Sequence, residues 1–548
     1  MEVNSMAEEQ QKLVYRLSDM DQSVPRDYAR RMFIFDFPDR TRRAEATSAL
    51  RRGLKTAFKA YPHLTGRVGP DEGPDENQVK ERDPITVRYG ETAAAREITE
   101  DVFQASYHKK AAEFYSYGEL CHMNMPVSHW KSKDFCIAPI SWTDEDWVPA
   151  VTLKVTFLGS GGLVLCFAFH NAVADDRSIS MFIETFANGT RNPSAINDWS
   201  VLTPETGIRP YVQPMDLAES CDFDYEAMHY LWDDGRFPEL DFDDSKPVFP
   251  YPQSSHSRLI KFPAKAIAAL KDDCLAYIMG YLNLDSLYLS TTDVLSALVW
   301  VSLLRARHAR FNADDYDQTA PFATTIDWRL RDSDGVVPPD YFGNASTNAA
   351  VVTLKLRDIV HPETTRCPGS GAARLAPTQL GTIAICADQI RQTLLQVQPD
   401  SIEDRLAIYT TFERPLEASV ASRRALQSHK QGVRVGSLAD SGGADFDFGI
   451  PGTNGNDGRP RFVRKPWMTE NGLVNILPRR RDSDDDWVVL VGADGPVLDQ
   501  LCWRRELGRW ASGWVDDWDP SLWCERRFGA CRIPDEEHDD EDGDVEMK

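Results

Sequence analysis

The apolar run at residues 163–169 constrains the fold of this chain more than any other stretch. It is short, continuously apolar and preceded by two glycines, which predicts a β-strand buried on both faces. Apolar side chains then recur at near-helical spacing from residue 177 onward, which predicts a helix. His170 and Asp175 thus fall in a strand-to-helix turn, a place where functional groups are often held on a rigid frame.

The length of 548 residues is too great for one core, since a domain typically takes about 150 residues. A proline-rich stretch at 201–256 is the best candidate for a crossover between two lobes. We expect a disordered N-terminus at 1–11, an N-terminal lobe at 12–200, the crossover at 201–256, a C-terminal lobe at 257–505, an extension at 506–533 and an acidic disordered tail at 534–548.

Strand-like and helix-like patterns are mixed along both halves, which predicts an α/β protein with mixed sheets. The alternating stretch 151–157, a glycine turn and the run 163–169 predict a hairpin leading into the turn. The apolar stripe at 44–61 predicts a helix. Near the end, the apolar runs 461–464, 473–477 and 488–491 predict three strands in a meander.

Charge and composition exclude several classes of function. A net charge of −24 disfavours nucleic-acid binding, because the phosphates of nucleic acids bind to positively charged surfaces. No apolar run approaches the ~20 residues that span a bilayer, so we expect no membrane partner. The ten cysteines include no CxxC pair, which indicates reduced thiols and no metal site. We expect a cytoplasmic monomer.

Several separated motifs share an order that is similar to one known family. They lie at 17–21, 61–67, 170–176, 290–293, 327–329, 341–344 and 447–449. Together, over about residues 12–500, they resemble the BAHD superfamily of coenzyme A-dependent acyltransferases, including its fungal secondary-metabolism members.

The resemblance implies two lobes of similar size, each with a chloramphenicol acetyltransferase-like mixed sheet, and a solvent channel between them. Acyl-coenzyme A, with acetyl-coenzyme A as the expected donor, would enter from one face as a co-substrate. The acceptor, a hydroxyl or amine of a small molecule, would enter from the other. No permanently bound cofactor is implied. The family signature is His-x-x-x-Asp, whose histidine is the general base and whose aspartate holds structure.

This chain departs from that signature at the base. Counting back four residues from Asp175 gives Asn171, and His170 takes the place of the preceding, usually non-catalytic histidine. Adjacent strand residues point to opposite faces, so if Asn171 faces the channel, His170 faces away. Three alternatives stay open: a kinked turn that makes His170 the base, catalysis without a base at reduced rate, or lost catalysis with a retained binding function.

The second family signature begins at Asp447 and Gly449, with Ile450 where tryptophan is usual. The resemblance makes Asp447 a structural residue, for which an arginine would be a suitable partner. For coenzyme A we select Ser290, Thr291, Asn344 and Arg461 as candidate contacts. The phosphates need local cations, which the basic clusters at 459–465 and 479–481 could supply, unless these are solvated strand ends.

Two competing functions follow from the same residues. One is a weak or inactive BAHD-like protein that binds a ligand or partner in the channel. The other is a condensation domain of a peptide synthetase, which is disfavoured because such domains normally sit in far longer chains. The enzyme hypothesis places His170 or Asn171 against the acceptor.

Overall fold

The computed structural model describes part of the 548-residue chain. The described residues are 12–71, 85–90, 98–108, 116–126, 129–130, 132–139, 146–159, 161–192, 255–282, 288–331, 337–351, 354–360, 379–397, 431–439, 441, 443–453, 458–465, 471–481, 483–502 and 507–516. The predicted N-terminal segment 1–11, nearly all of the crossover 201–256 and the tail 534–548 lie outside them.

Sixteen strands are present in the described residues. They are β1 (Lys12–Arg16), β2 (Tyr28–Asp36), β3 (Arg67–Pro70), β4 (Ile85–Gly90), β5 (Phe103–His108), β6 (Val148–Pro149), β7 (Val151–Leu158), β8 (Gly162–His170), β9 (Ser255–Phe262), β10 (Phe322–Asp327), β11 (Ser346–Val351), β12 (Val433–Ser437), β13 (Phe462–Arg464), β14 (Leu473–Ile476), β15 (Trp487–Asp494) and β16 (Gly513–Asp516).

The α-helices of the described residues alternate with these strands. They are α1 (Asp19–Gln22), α2 (Arg43–Ala60), α3 (Tyr117–His122), α4 (Ser132–Phe135), α5 (Asp176–Arg191), α6 (Ala264–Leu282), α7 (Thr291–Ala306), α8 (Leu356–Val360), α9 (Gln379–Leu395) and α10 (Gly495–Leu501). The predicted α/β class is confirmed, as are the strand before the turn and the helix after it. Each helix within the described part of the chain is too short or too polar to cross a lipid bilayer.

The strands form three sheets, two of them mixed. The first large sheet has the order β13-β2-β8-β7-β5, with β8 at its centre between two antiparallel neighbours. The predicted β7–β8 hairpin is therefore confirmed. Helices α2 and α5 pack against each other on this sheet's core. A four-stranded sheet, β1-β4-β3-β6, adjoins it.

The second large sheet has seven strands in the order β11-β10-β12-β14-β15-β9-β16. It carries its own apolar core, into which α7 packs almost every side chain. Strand β16 lies in the predicted extension 506–533 and pairs with β9, while Leu507 and Ala511 enter the second core. Within the described residues, each large sheet thus carries its own core, and a smaller apolar cluster includes Met20, Ile326 and Trp328.

The predicted meander is wrong for its first strand. Strands β14 and β15 pair antiparallel as expected, but β13 leaves their sheet and pairs with β2 in the first one. A strand's alternating pattern identifies the strand but not its partner, so the sequence offered no sign of this crossing. Through β13, the C-terminal half of the chain completes the sheet that carries β8.

Candidate active site

The turn after β8 is fixed from both sides. His170 is the last residue of β8 and lies opposite Tyr28 of β2, and its backbone amide donates to the carbonyl of Ala150 at 2.9 Å. Residues Asn171–Val173 form one short 3-10 turn. Asp175 then caps α5 by accepting the backbone amide of Ser178 at 3.0 Å. The strand and helix therefore hold the turn residues in fixed positions.

The imidazole of His170 points into the protein and is only 1% exposed. It packs edge-on against the ring of Tyr28, with ring centres 5.5 Å apart, and its Nδ1 accepts the backbone amide of Ala172 at 3.2 Å. Burial, aided by the nearby Arg26 cation, lowers the pKa of His170 to about 3. This imidazole is neutral near pH 7 and is a far weaker base than an ordinary histidine.

Asn171 is the less buried of the two candidate residues. Its side-chain amide donates to the carbonyl of Pro25 at 3.2 Å, and its backbone amide donates to the carbonyl of Asp27 at 2.8 Å. Asn344 donates from Nδ2 to the Asn171 carbonyl at 2.8 Å. Among the described residues, no group donates to Asn171 Oδ1, which leaves this oxygen able to accept a hydrogen bond from a substrate.

Asp21 belongs to the first motif, and its role was not foreseen from the sequence. It is 1% exposed, and its two oxygens accept the backbone and side-chain amides of Asn344 at 2.8 and 2.9 Å and the backbone amide and hydroxyl of Ser18 at 3.0 and 2.7 Å. Burial raises the pKa of Asp21, although these hydrogen bonds oppose the rise. Asp21 therefore orients Asn344, which in turn holds the Asn171 carbonyl.

Asp175 lies at the junction of the two halves of the chain. Arg329, which follows β10, donates to both of its carboxylate oxygens at 2.9 and 3.2 Å. The same guanidinium donates to the carbonyls of Tyr341 and Gly343 at 2.9 and 2.8 Å. Burial alone would lower the pKa of Arg329, but the carboxylates of Asp175 and Asp327 raise it above its ordinary value. These contacts support the structural role predicted for Asp175.

The second signature forms a tight loop against the first sheet. Asp447 pairs with Arg191 at the end of α5 at 3.1 Å and accepts the backbone amide of Gly449 at 2.8 Å. Gly449 has a φ of 54°, which a residue without a Cβ adopts readily. Phe448 between them is fully buried and packs against several rings of the first core: Phe33, Phe35 and Phe186. The sequence suggested an arginine partner for Asp447 but did not identify it.

The four residues selected for coenzyme A lie in different surroundings. Ser290 caps α7 in a reciprocal box with Asp293, and Thr291 is the first residue of that helix. The side-chain amide of Asn344 donates hydrogen bonds to Asp21 and to the carbonyl of Asn171. Arg461 is half exposed and pairs with Asp36 of β2 at 3.1 Å. Of these four residues, only Asn344 is hydrogen-bonded to the candidate turn.

A basic cavity of about 430 Å³ lies beside the first turns of α5. Four arginines and three serines line it together with two carboxylates and two apolar side chains: Arg177, Arg459, Arg480, Arg481, Ser180, Ser441, Ser483, Glu184, Asp445, Met181 and Phe446. The cavity therefore unites residues from both basic clusters of the sequence. Arg464 is buried instead, donating to the carbonyl of Asn124 at 2.9 Å.

Within the described residues, no group of three or more histidine, cysteine, aspartate or glutamate side chains is arranged to hold a metal ion. The described residues at the turn include an amide oxygen on Asn171 and the buried imidazole of His170, and the basic cavity lies beside the helix that follows.

Comparison with known proteins agrees with this arrangement. The family model described as the Transferase family matches residues 138–491, well over half of the chain. The acyltransferase easC of Emericella nidulans is 24% identical over 89% of this chain and 93% of its own length. The trichothecene 8-O-acetyltransferase of Fusarium sporotrichioides is 22% identical over 86% of this chain and 91% of its own.

Solved structures show the same fold. The crystal structure of Fusarium graminearum TRI101 complexed with coenzyme A and deoxynivalenol superposes with a TM-score of 0.69 at 18% identity, covering 92% of this chain and all of that one. The structure of vinorine synthase gives a TM-score of 0.55 at 14% identity, covering 92% of this chain and 94% of that one.

Proposed function

This chain belongs to the BAHD-type Transferase family, and from that membership we propose that it moves an acetyl group from acetyl-coenzyme A to a small, secondary-metabolite acceptor at the turn after β8. Coenzyme A-dependent acyl transfer is the activity of the family and of its fungal relatives. Within that activity, we propose that the transferred group is acetyl and that the acceptor is a small secondary metabolite. A cytoplasmic location and a monomeric state remain predictions from the sequence.

The basic cavity is the observation that carries the proposal. Coenzyme A bears several phosphates. A chain with a net charge of −24 needs a local group of cationic side chains to bind them. Arg177, Arg459, Arg480 and Arg481 converge on one cavity, and guanidinium groups match phosphate oxygens in pairs. Helix α5, which lines the cavity, begins directly after Asp175 and so leads back to Asn171. Phosphates in the cavity would thus direct the thioester toward the turn.

The reaction forms one bond and breaks one. The acceptor heteroatom attacks the carbonyl carbon of the thioester, and the carbon–sulfur bond breaks to release the thiol of coenzyme A. The proton lost by the acceptor ends on that thiol. A thioester is already activated, so holding both substrates in one channel supplies much of the rate enhancement. In this proposal, Asn171 Oδ1 accepts a hydrogen bond from the acceptor, while its Nδ2 donates to the Pro25 carbonyl.

A binding protein without catalysis is the second candidate. It is favoured by one observation, that an amide side chain stands where the family has its base and the adjacent imidazole is buried and neutral. The two candidates differ in whether thiol is released from acetyl-coenzyme A when acceptors are present.

Calorimetric titration with coenzyme A tests the cavity, and thiol release tests the reaction. We expect Arg459→Ala and Arg480→Ala each to weaken coenzyme A binding about ten- to a hundredfold, since a charge-assisted hydrogen bond contributes ~1.5–3 kcal/mol. Arg357→Ala is the matched control, because Arg357 does not line the cavity and pairs with Asp317 at the exposed surface. Equal losses in all three variants, or no binding by the wild-type protein, would contradict the cavity assignment.

A further inference from the structure

We infer that the acceptor of this site is a neutral amine rather than an aliphatic alcohol. The inference rests on the proposed acyl transfer and names its substrate class. It is drawn from the geometry of four groups around Asn171: His170, Asp21, Asp175 and Asp27.

An alcohol and an amine make different demands on an acyltransferase. An aliphatic hydroxyl keeps its proton near neutral pH, so a general base must take that proton as the carbon–oxygen bond forms. A neutral amine attacks with a free lone pair and loses its proton only after the carbon–nitrogen bond exists. A site without a competent base therefore discriminates in favour of amines.

The imidazole beside Asn171 is poorly placed to serve as that base. His170 is 1% exposed, packs edge-on against Tyr28 and uses Nδ1 to accept the backbone amide of Ala172. Its depressed pKa further weakens it, because the strength of a general base falls with the pKa of its conjugate acid.

Two of the three carboxylates near the turn are occupied by other partners, and the third is only partly occupied. Asp21 accepts four hydrogen bonds from Ser18 and Asn344. Both oxygens of Asp175 are bound by Arg329. Asp27 is half exposed and uses one oxygen, Oδ1, both to accept the backbone amide of Tyr28 at 2.6 Å and to pair with Arg30 at 3.3 Å. Carboxylates are intrinsically weaker bases than imidazole. Within the described residues, the turn thus presents Asn171 and the carboxylate of Asp27 to a substrate, and no accessible imidazole.

The amide of Asn171 suits an amine acceptor. Its nitrogen donates a hydrogen bond to the Pro25 carbonyl, so Oδ1 points away from that contact. Oδ1 can therefore accept a hydrogen bond from an N–H of the substrate. Such a hydrogen bond would turn the nitrogen lone pair toward the thioester carbonyl and offset the positive charge that grows on nitrogen. Attack forms the amide bond, the carbon–sulfur bond breaks, and the amine proton passes to the departing thiolate to give free coenzyme A.

The test compares nitrogen and oxygen nucleophiles of matched size in the presence of acetyl-coenzyme A. Hydrazine and methanol are small enough to enter irrespective of the shape of the acceptor site, and benzylamine and benzyl alcohol form a larger pair. Acetylated products are quantified by mass spectrometry. We expect enzyme-dependent acetylation of the nitrogen member of at least one pair to exceed that of its oxygen partner at least tenfold.

The variant Asn171→His supplies a second readout. An imidazole at this position should raise the ratio of alcohol to amine acetylation about tenfold or more, since a general base contributes ~10²- to 10⁴-fold. Asn188→His, the same replacement near the far end of α5, is the control and should leave the ratio as in the wild type.

The outcomes separate this inference from the proposed function. Alcohols acetylated as fast as their matched amines would overturn the amine assignment and leave acyl transfer intact. Coenzyme A binding without acetylation of any nucleophile would overturn the amine assignment and favour the binding protein. Absence of coenzyme A binding would overturn the proposed function itself.

Discussion

Arg329 donates to both carboxylate oxygens of Asp175, and both side chains are almost completely buried. The pair joins the residue that caps α5 to the segment that follows β10, so it connects the two halves of the chain directly beside the candidate turn. We therefore interpret the aspartate of the family signature as a clamp between the two halves of the chain, with both of its carboxylate oxygens bound to Arg329.

Removing one member of this pair should destabilise the protein strongly. Asp175→Ala leaves the Arg329 guanidinium buried with fewer partners and removes the cap of α5. We expect the free energy of unfolding to fall by about 3–5 kcal/mol, measured by urea denaturation. Asp317→Ala is the control, because Asp317 pairs with Arg357 at the exposed surface. That variant should change stability by at most about 1 kcal/mol. Equal losses in the two variants would refute the clamp.

Glycine at position 458 should be required for the loop around Asp447. Gly458 has a φ of 61°, and a Cβ at this position would collide with Asp447 Oδ1. Gly458→Ala is therefore expected to cost about 2 kcal/mol or more of stability through backbone strain and displacement of Asp447.

Gly280→Ala is the matched control for that substitution. Gly280 lies in helix α6, and an alanine Cβ at this position would meet no atom within 4 Å beyond its chain neighbours and the backbone of its own helix, so alanine should stabilise the protein by about 0.5–1 kcal/mol. Differential scanning calorimetry should show opposite shifts in the two variants. A neutral Gly458→Ala would contradict the crowding around Asp447.

Stability should decrease on acidification because of His170. Its pKa is about 3 in the folded protein and about 6.5 in the unfolded chain, so between these values the unfolded chain binds a proton that the folded protein does not. The stability that the folded protein gains from a neutral His170 is fully present above pH 6.5 and is lost as the pH falls toward 3. Between pH 7.5 and pH 5.0, we expect the wild type to lose about 2 kcal/mol more than His170→Asn.

The measurement is urea unfolding of both proteins at the two pH values. Asparagine at position 170 keeps a side-chain acceptor for the Ala172 amide but does not titrate. His308→Asn removes an exposed histidine and should preserve the wild-type difference. An identical pH response in the wild type and His170→Asn would contradict a lowered pKa of His170 in the folded protein.

Local patterns in the sequence predicted the elements around the site well. The predicted strand at 163–169 and helix from 177 match β8 and α5 within a few residues, because a buried run and a helical stripe are both local signals. Helix 44–61 likewise matches α2. The alternation argument also anticipated that His170 and Asn171 would lie in unlike environments.

Long-range contacts could not be predicted in the same way. Asn344 and Asp21 are 323 residues apart, and their pairing depends on how the two halves of the chain meet. The partner of Asp447 was one of many arginines until the fold placed Arg191 beside it. The crossing of β13 into the first sheet was missed for the same reason, since a strand's pattern does not encode its neighbour.

A crystal structure of the protein with coenzyme A tests the central claim most directly. We predict phosphates against Arg459, Arg480 and Arg481 and the thiol sulfur beside the Asn171 side chain, with His170 still buried and packed against Tyr28. A coenzyme A whose sulfur lies away from the turn after β8 would contradict it.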